Sequence, residues 1–411
     1  MGQWKLLDQG AEARQKMTER QDRRERQEHK QARQVRRAAR AQQDGQTQEQ
    51  RQQARMKRRA ERAQEVAANA RPAGAKPAIK PGKMRKGAGG ARAGGKAPEQ
   101  GMQTYLDTMV IVRGNAARRD YPDRLHDNCR EGAVFPNFTP KFKLHLGPGA
   151  TVFSIGSGFS RDLEPVLAAR GVTLPTIAIA IPQSDLVRTE NPLNEYTPAT
   201  IAQRINGAFK VKPIPKGTIM DAGQLFSDQL LPGQFTDTME ILEARRAEIA
   251  AIYARLPQCS AVIITLASAE TWYDKRSKRF FNRPPRTPNV RSRVAHIYFG
   301  VQDVDDVVAI LNKPLTALGA AGIKVVLTVS PVPQRTTYSA ADAVIANEIS
   351  KAVLRVAADR LTRKFGHVDY FPAYEIARSA GLQAYLDDNV QIHEEFAALL
   401  AGEFVKAYAS K

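Results

Sequence analysis

The sequence predicts an α/β protein: a doubly wound, mostly parallel sheet in a three-layer arrangement, preceded by a disordered or loosely helical basic arm. Three observations lead there. From about residue 104 onward, short apolar runs alternate with longer helical patterns, the signature of parallel strands joined by crossover helices. The formal net charge of +20 over 411 residues sits mostly at one end. Residues 1–100 hold 26 Lys and Arg against 11 Asp and Glu, whereas the remainder is nearly balanced. Only two cysteines occur, Cys129 and Cys259, so the fold rests on neither a disulfide scaffold nor a cysteine-rich zinc site.

The strands expected from apolar runs are residues 152–155, closed by Gly156, then 176–181, ended by Pro182, then 262–266, 324–329 and 368–371. Between them the helical pattern runs over 161–170, 198–209, 236–256, 301–321, 340–365 and 392–408. A body of about 300 residues suffices for one large core. In sheets of this kind ligands bind beyond the carboxyl ends of the strands, so the residues just after each strand are the ones to inspect.

The arm has a different character. Residues 1–70 are rich in Arg, Gln, Glu and Ala; between 11 and 70 there is no proline and one glycine, Gly45. These are good helix formers. Apolar side chains larger than alanine are limited to Met17, Val35, Met56 and Val66 there, too few for a coiled-coil seam. Residues 71–103, rich in Gly, Pro, Ala and Lys, read as a flexible basic linker to a domain spanning 104–411. Clusters such as Arg36-Arg37 and Lys57-Arg58-Arg59 fit a polyanionic partner: nucleic acid, anionic lipid or an acidic polysaccharide. The same charge also fits a purely solubilising tail. Trp4 is the lone aromatic before Tyr105, which argues against stacking on unpaired bases. No run of 18 apolar residues and no secretory leader is visible, so the expected location is cytoplasmic or peripheral to a membrane. Neither a metal constellation nor a nucleotide-binding fingerprint is present, and no cofactor is expected.

The strand ends carry the candidate chemistry. After the first strand, Gly156-Ser157-Gly158-Phe159-Ser160 leads into a helix. A serine at such a turn reads as a nucleophile beside oxyanion-stabilising amides, or as an ordinary helix cap. Glu270 follows the third strand ahead of Trp272; it fits a substrate contact or a carboxylate that caps a loop. Ser330, before Pro331, lies at the end of the fourth strand and on the same sheet edge, or merely ends that strand. Asp387, Asp388 and His393 precede the last helix, where aspartates commonly cap. A histidine there could serve as the base of a serine nucleophile.

Taken together, six blocks resemble the GSCFA-domain family, which has an SGNH-hydrolase-like fold. They are residues 135–142 (FPNFTPKF), 153–160 (FSIGSGFS), 191–198 (NPLNEYTP), 265–274 (TLASAETWYD), 327–333 (LTVSPVP) and 370–376 (YFPAYEI), spread over about residues 120–408. The resemblance implies serine-dependent ester hydrolysis or acyl transfer on an acylated carbohydrate or surface-polymer precursor. It casts Ser157 as nucleophile and the Gly158 N–H as an oxyanion donor. Asn191 and Glu270 would line the site, and Asp388 would be the acid of a C-terminal Asp/His pair. The chain departs from the family pattern in three places. Gly158, Phe159 and Ser160 stand where the namesake motif has Cys-Phe-Ala, and Ala267 replaces a glycine. Gln391 occupies the histidine position of D-x-x-H. A glutamine amide hydrogen-bonds but does not accept and return a proton as imidazole does. His393, two residues on, replaces it only if that segment is loop, since two helical residues rotate a side chain to the opposite face. His126 and His145 are the other candidates. The competing expectation is a non-catalytic binding domain of the same fold, docked on a polyanion by the arm.

Overall fold

The computed structural model describes residues 106, 108–110, 121–122, 126–179, 191–210, 218–221, 225–232, 236–284 and 295–410. The arm and linker expected over 1–103 lie outside the described residues.

Seven strands and seven helices position the site. In chain order the strands are β1 (Val152–Gly156), β2 (Ala261–Leu266), β3 (Glu270–Asp274), β4 (Arg279–Phe281), β5 (Ile297–Val301), β6 (Lys324–Val329) and β7 (Val368–Tyr370). The helices are α1 (Gly158–Ala168), α2 (Pro198–Lys210), α3 (Met239–Tyr253), α4 (Val304–Ala320), α5 (Ala343–Lys364), α6 (Ala373–Ala380) and α7 (Glu394–Tyr408). The central sheet has the order β7-β6-β2-β1, and each neighbouring pair is parallel. Val325 on β6 pairs with Val262 on β2, and Phe153 on β1 pairs with the same Val262.

The two middle strands read as unbroken apolar runs because both of their faces are covered. All of β2 is buried, as is β6 after Lys324. Successive side chains point to opposite faces and feed two separate cores. Phe153, Ile264 and Leu327 meet Ile205 of α2, Ile249 of α3, Leu311 of α4 and Leu354 of α5 on one face. Val152, Ile263 and Val326 meet Leu163 of α1, Ile376 of α6 and Phe404 of α7 on the other. Helices on both faces make the doubly wound, three-layer arrangement expected from the alternation. Each fully buried side chain of this size contributes about 1.5–3 kcal/mol.

The expected strand over 176–181 is not formed where it can be seen. Pro175 opens a short 3₁₀ turn, Pro175–Ala178, and the Thr176 hydroxyl donates to the buried Glu164 carboxylate. The edge of β1 is paired just earlier instead, Val152 N donating to Thr173 O at 3.0 Å and Thr173 N to Ala150 O at 2.8 Å. Proline fixes φ and supplies no N–H, so the pairing stops there. Features with no sequence expectation include the short helix α6, an antiparallel sheet in which β3 lies between β5 and β4, and two small antiparallel sheets, Cys129–Arg130 with Ala133–Val134 and Phe226–Asp228 between Ile219–Asp221 and Thr236–Asp237. Among the described residues, no helix is long and apolar enough to cross a membrane.

Candidate active site

The site forms where β1, β2 and β6 end. Gly156 closes β1 with φ +141°, and a Cβ there would lie 2.3 Å from Thr265 O on β2. Only glycine lets the chain run this close to its neighbour before turning into α1. Ser157 follows in extended conformation at the cap position of α1, yet its side chain makes no capping bond. Asp303, Asp342 and Thr238 do cap α4, α5 and α3. The buried Ser157 hydroxyl donates instead to Ser330 Oγ at 2.9 Å. The first N–H groups of α1 therefore receive nothing from this serine, and they face a region of favourable potential for negative charge. Ser160, three residues on, is structural: it is buried and donates to Thr265 Oγ1 at 2.8 Å.

The segment after Asn191 threads the gap between two strand ends. Glu195 N donates to Gly156 O at 2.8 Å, and Tyr196 O accepts from Ala267 N and Ser268 N at 3.1 and 2.9 Å. Asn191 itself is used locally, its Oδ1 accepting from Leu193 N at 2.9 Å. It is Asn194 that lines the cleft with Ser157 and Gly158. Asn194 is buried, and its Oδ1 has no hydrogen-bond partner among the described residues. Underneath, Glu195 and Arg204 of α2 form a buried ion pair at 2.6 Å, and Asn282 donates to Asn194 O at 3.2 Å.

The cleft is large, about 860 Å³. Three cations, Arg161, Arg283 and Arg335, and three anions, Asp162, Glu270 and Glu394, line it. Arg161 is held against Ser154 O at 2.6 Å and Glu164 at 2.7 Å. Burial pushes the Glu164 carboxyl above its ordinary range, against the pull of Arg161. Glu270 lines the cleft and also fixes a loop: it accepts from the Thr337 hydroxyl and, at 3.0 Å, from Tyr338 N.

Behind the cleft, Lys351 of α5 is fully buried. Its ammonium donates to Ala267 O and Val332 O, both at 2.9 Å, and so ties the loop after β2 to the loop after β6. Burial lowers its pKa to about 7, with Glu348 opposing the shift.

The C-terminal candidates lie differently. Gln391 lines the cleft; Asp388 and His393 are not among its lining residues. Asp388 Oδ1 accepts from Gln391 N at 2.8 Å and from Val390 N at 2.9 Å, while Oδ2 meets Arg335 at 2.8 Å. The two backbone N–H groups, and then Arg335, hold its carboxyl below the usual range. His393 stands at the cap position of α7 with non-helical backbone (φ −57°, ψ 138°) and no side-chain capping bond, so the segment is loop at that point, and its N–H donates to Ala384 O at 3.0 Å. His126 accepts from Asn128 N, His145 bonds Pro148 O, His296 pairs with Asp274 and His367 bonds Leu315 O. No histidine among the described residues lines the cleft. The site thus brings together a serine hydroxyl, a helix N-terminus, an amide and carboxylates, without an imidazole.

Asn194, Tyr338 and Lys351 escaped the sequence reading. Asn194 sits three residues from Asn191 in the same block, and only the turn geometry decides between them. Lys351 looks like any polar helix residue, and Tyr338 lies in a loop with no periodic pattern.

A model of the GSCFA family matches residues 151–404. No curated protein matches. Among solved structures, a Bacteroides fragilis protein assigned as an acylhydrolase shares 10% identity with a TM-score of 0.29, covering 74% of this chain and 97% of its own. A mutant of an acetyl-xylooligosaccharide esterase from a Geobacillus species shares 12% identity with a TM-score of 0.28, covering 65% of this chain and 100% of its own.

Proposed function

The chain belongs to the GSCFA family, and from that premise we propose that it is a serine-dependent ester hydrolase or acyltransferase whose substrate is an acylated carbohydrate. One observation carries the reading. Ser157 stands at the cap position of α1 without capping it, and its hydroxyl turns to Ser330 inside a cleft that extends past the first turn of the helix. In the reaction, Ser157 Oγ attacks the ester carbonyl and the carbonyl oxygen takes up the negative charge. The Gly158 N–H and the Asn194 amide are the groups available to stabilise it. The ester C–O bond to the sugar then breaks, and the proton shed by Ser157 ends on the departing sugar oxygen, carried there by solvent water. Water then releases the acyl group in a hydrolase, or a second alcohol takes it in a transferase.

The weak part of this machinery is the base. Gln391 occupies the place where the family resemblance puts histidine, and the cleft's own lining supplies no imidazole. The chemistry proposed is therefore slow. Loss of a triad member leaves a residual enhancement of roughly 10³–10⁴ over water.

The same observation supports a second reading, in which the domain binds an acylated ligand without turning it over and the basic arm attaches it to a polyanion. Hydrolysis of a chromogenic acetyl ester by wild type and by Ser157→Ala separates the two. A rate that depends on Ser157 supports the enzyme; equal rates sink the serine mechanism and leave the binding domain. Salt-titrated binding to heparin or duplex DNA, with the full chain and with a chain starting at Thr104, tests the arm. Equal binding by both removes its targeting role.

A further inference from the structure

The antiparallel sheet and the loop after β6 each bring one aromatic side chain, Trp272 and Tyr338, to the cleft wall. Trp272 of β3 packs on Phe299 of β5 with ring centroids 5.1 Å apart. Tyr338 meets both, at 5.3 Å from Trp272 in a T-shaped arrangement and 6.3 Å from Phe299. Trp272 and Tyr338 line the same cleft as Ser157. Tyr338 remains 50% exposed. An exposed ring is ordinarily free to turn, but this one is held at its root. The Glu270 carboxylate accepts from Tyr338 N and from the Thr337 hydroxyl, and Ser339 N donates to Thr337 Oγ1 at 3.1 Å. The carboxylate is itself placed by β3, where Glu270 N bonds Ser268 Oγ at 3.0 Å. Ser268 in turn donates to Gln334 Oε1 at 2.8 Å, and both line the cleft. A preorganised aromatic edge is thus flanked by fixed polar groups.

We propose that Trp272 and Tyr338 form a subsite that holds the ring of a neutral saccharide, with Gln334 and Ser268 reaching its hydroxyls. Three features favour this ligand. A pyranose ring offers an apolar C–H face to an aromatic ring and hydroxyls around its rim, which matches aromatic faces interleaved with amide and hydroxyl groups. The three arginines and three carboxylates of the lining balance, which gives no preference for a charged polymer. A volume of about 860 Å³ lies in the range that takes a drug-sized ligand, far more than an acetyl group needs. A long acyl chain would instead want a continuous apolar wall, which the polar groups interrupt. The proposal deepens the ester reading by placing the sugar, but binding of an unacylated saccharide requires no catalysis.

The chain has two tryptophans, Trp4 and Trp272, so Trp4→Phe makes Trp272 the sole indole reporter. Xylotetraose, cellotetraose and tetra-N-acetylchitotetraose are titrated into the full-length Trp4→Phe protein while its emission is followed. A saturable change with at least one of them is expected, and Tyr338→Ala in the same background is expected to weaken it tenfold or more. Circular dichroism melting shows whether Tyr338→Ala still folds; Tyr338→Phe, which keeps the ring, should retain the response. Decanoate and an oligogalacturonate tetramer are the contrasting probes. No saturable response to any neutral tetrasaccharide overturns the subsite. So does an equal response in Tyr338→Ala, or a response confined to decanoate or the acidic tetramer. Ser157-dependent ester hydrolysis without saccharide response would remove this subsite alone. Saccharide response without hydrolysis would remove the catalytic reading alone.

Discussion

Ser157 Oγ donates to Ser330 Oγ over 2.9 Å, so two hydroxyls from the ends of β1 and β6 meet across the end of β2, which lies between them in the sheet. Ser330 is anchored for this role: its N–H donates to Leu266 O at 2.7 Å, and its hydroxyl also accepts from Val332 N at 3.3 Å. A hydroxyl partner orients Ser157 but cannot take its proton near neutral pH. No histidine among the described residues lines the cleft to take that proton.

That makes Gln391→His the most informative gain-of-function variant. Gln391 lines the cleft, and the loop carrying it is set by Asp388 accepting its N–H. A positioned general base contributes typically 10²–10⁴ in rate. Hydrolysis of a chromogenic acetyl ester should therefore rise by roughly 10² or more in Gln391→His. It should stay at the Ser157→Ala level in the double variant. An unchanged rate in the single variant means that position 391 does not reach the nucleophile.

Gly156→Ala should be costly although the residue adds only a methyl group. At φ +141° an alanine is strained, and its Cβ would sit 2.3 Å from Thr265 O, a backbone atom of the central sheet that cannot yield cheaply. Overpacking of this kind costs about 1–3 kcal/mol. Chemical denaturation should show a lower midpoint with an unchanged slope, and ester hydrolysis should fall because the turn that presents Ser157 shifts with it.

How far the sequence reaches can be judged from particular residues. The central strands β2 and β6 were legible because both faces are covered, so each appears as an unbroken apolar run. The 3₁₀ turn at Pro175–Ala178 resembles a strand in sequence because its apolar content outweighs one proline. Ser157, Glu270 and Ser330 were legible as a group, since all three follow central strands and parallel sheets place such residues on one edge. That Asn194 rather than Asn191 lines the cleft was not legible, nor that His393 stays out of its lining, because both depend on loop geometry. The antiparallel sheet that carries Trp272 was hidden for a related reason: its strands are short and only partly buried.

The buried ion pair beneath Asn194 gives a further test. Glu195 and Arg204 meet at 2.6 Å, and Arg204 also donates to Leu230 O at 3.1 Å. Arg204→Met leaves a buried carboxylate without its partner, which costs about 3–5 kcal/mol, a large part of a typical domain's stability. Replacing both, as Arg204→Met with Glu195→Leu, removes the uncompensated charge and should recover most of that loss. Denaturation midpoints of the two variants check this; a double variant no better than the single would assign the loss to packing.

Lys351 makes the stability of the domain depend on pH with a definite sign. Its ordinary pKa of 10.5 is lowered to about 7 in the fold, chiefly by burial. Between those values the unfolded chain holds a proton that the native state has shed, so stability rises with pH through this window. Below about pH 7 both states are protonated, and the buried ammonium exerts its full penalty. Wild type should therefore gain, relative to Lys351→Met, roughly 1 kcal/mol per pH unit above neutrality, levelling off as pH approaches the unfolded value. The variant also loses the two hydrogen bonds to Ala267 O and Val332 O. That loss offsets the comparison at every pH without changing its slope. Guanidinium unfolding of both proteins at pH 6, 8, 9 and 10 measures the slope directly. Parallel profiles would mean that Lys351 keeps its proton throughout, and that a charged ammonium clamps the loops behind Ser268 and Ser330.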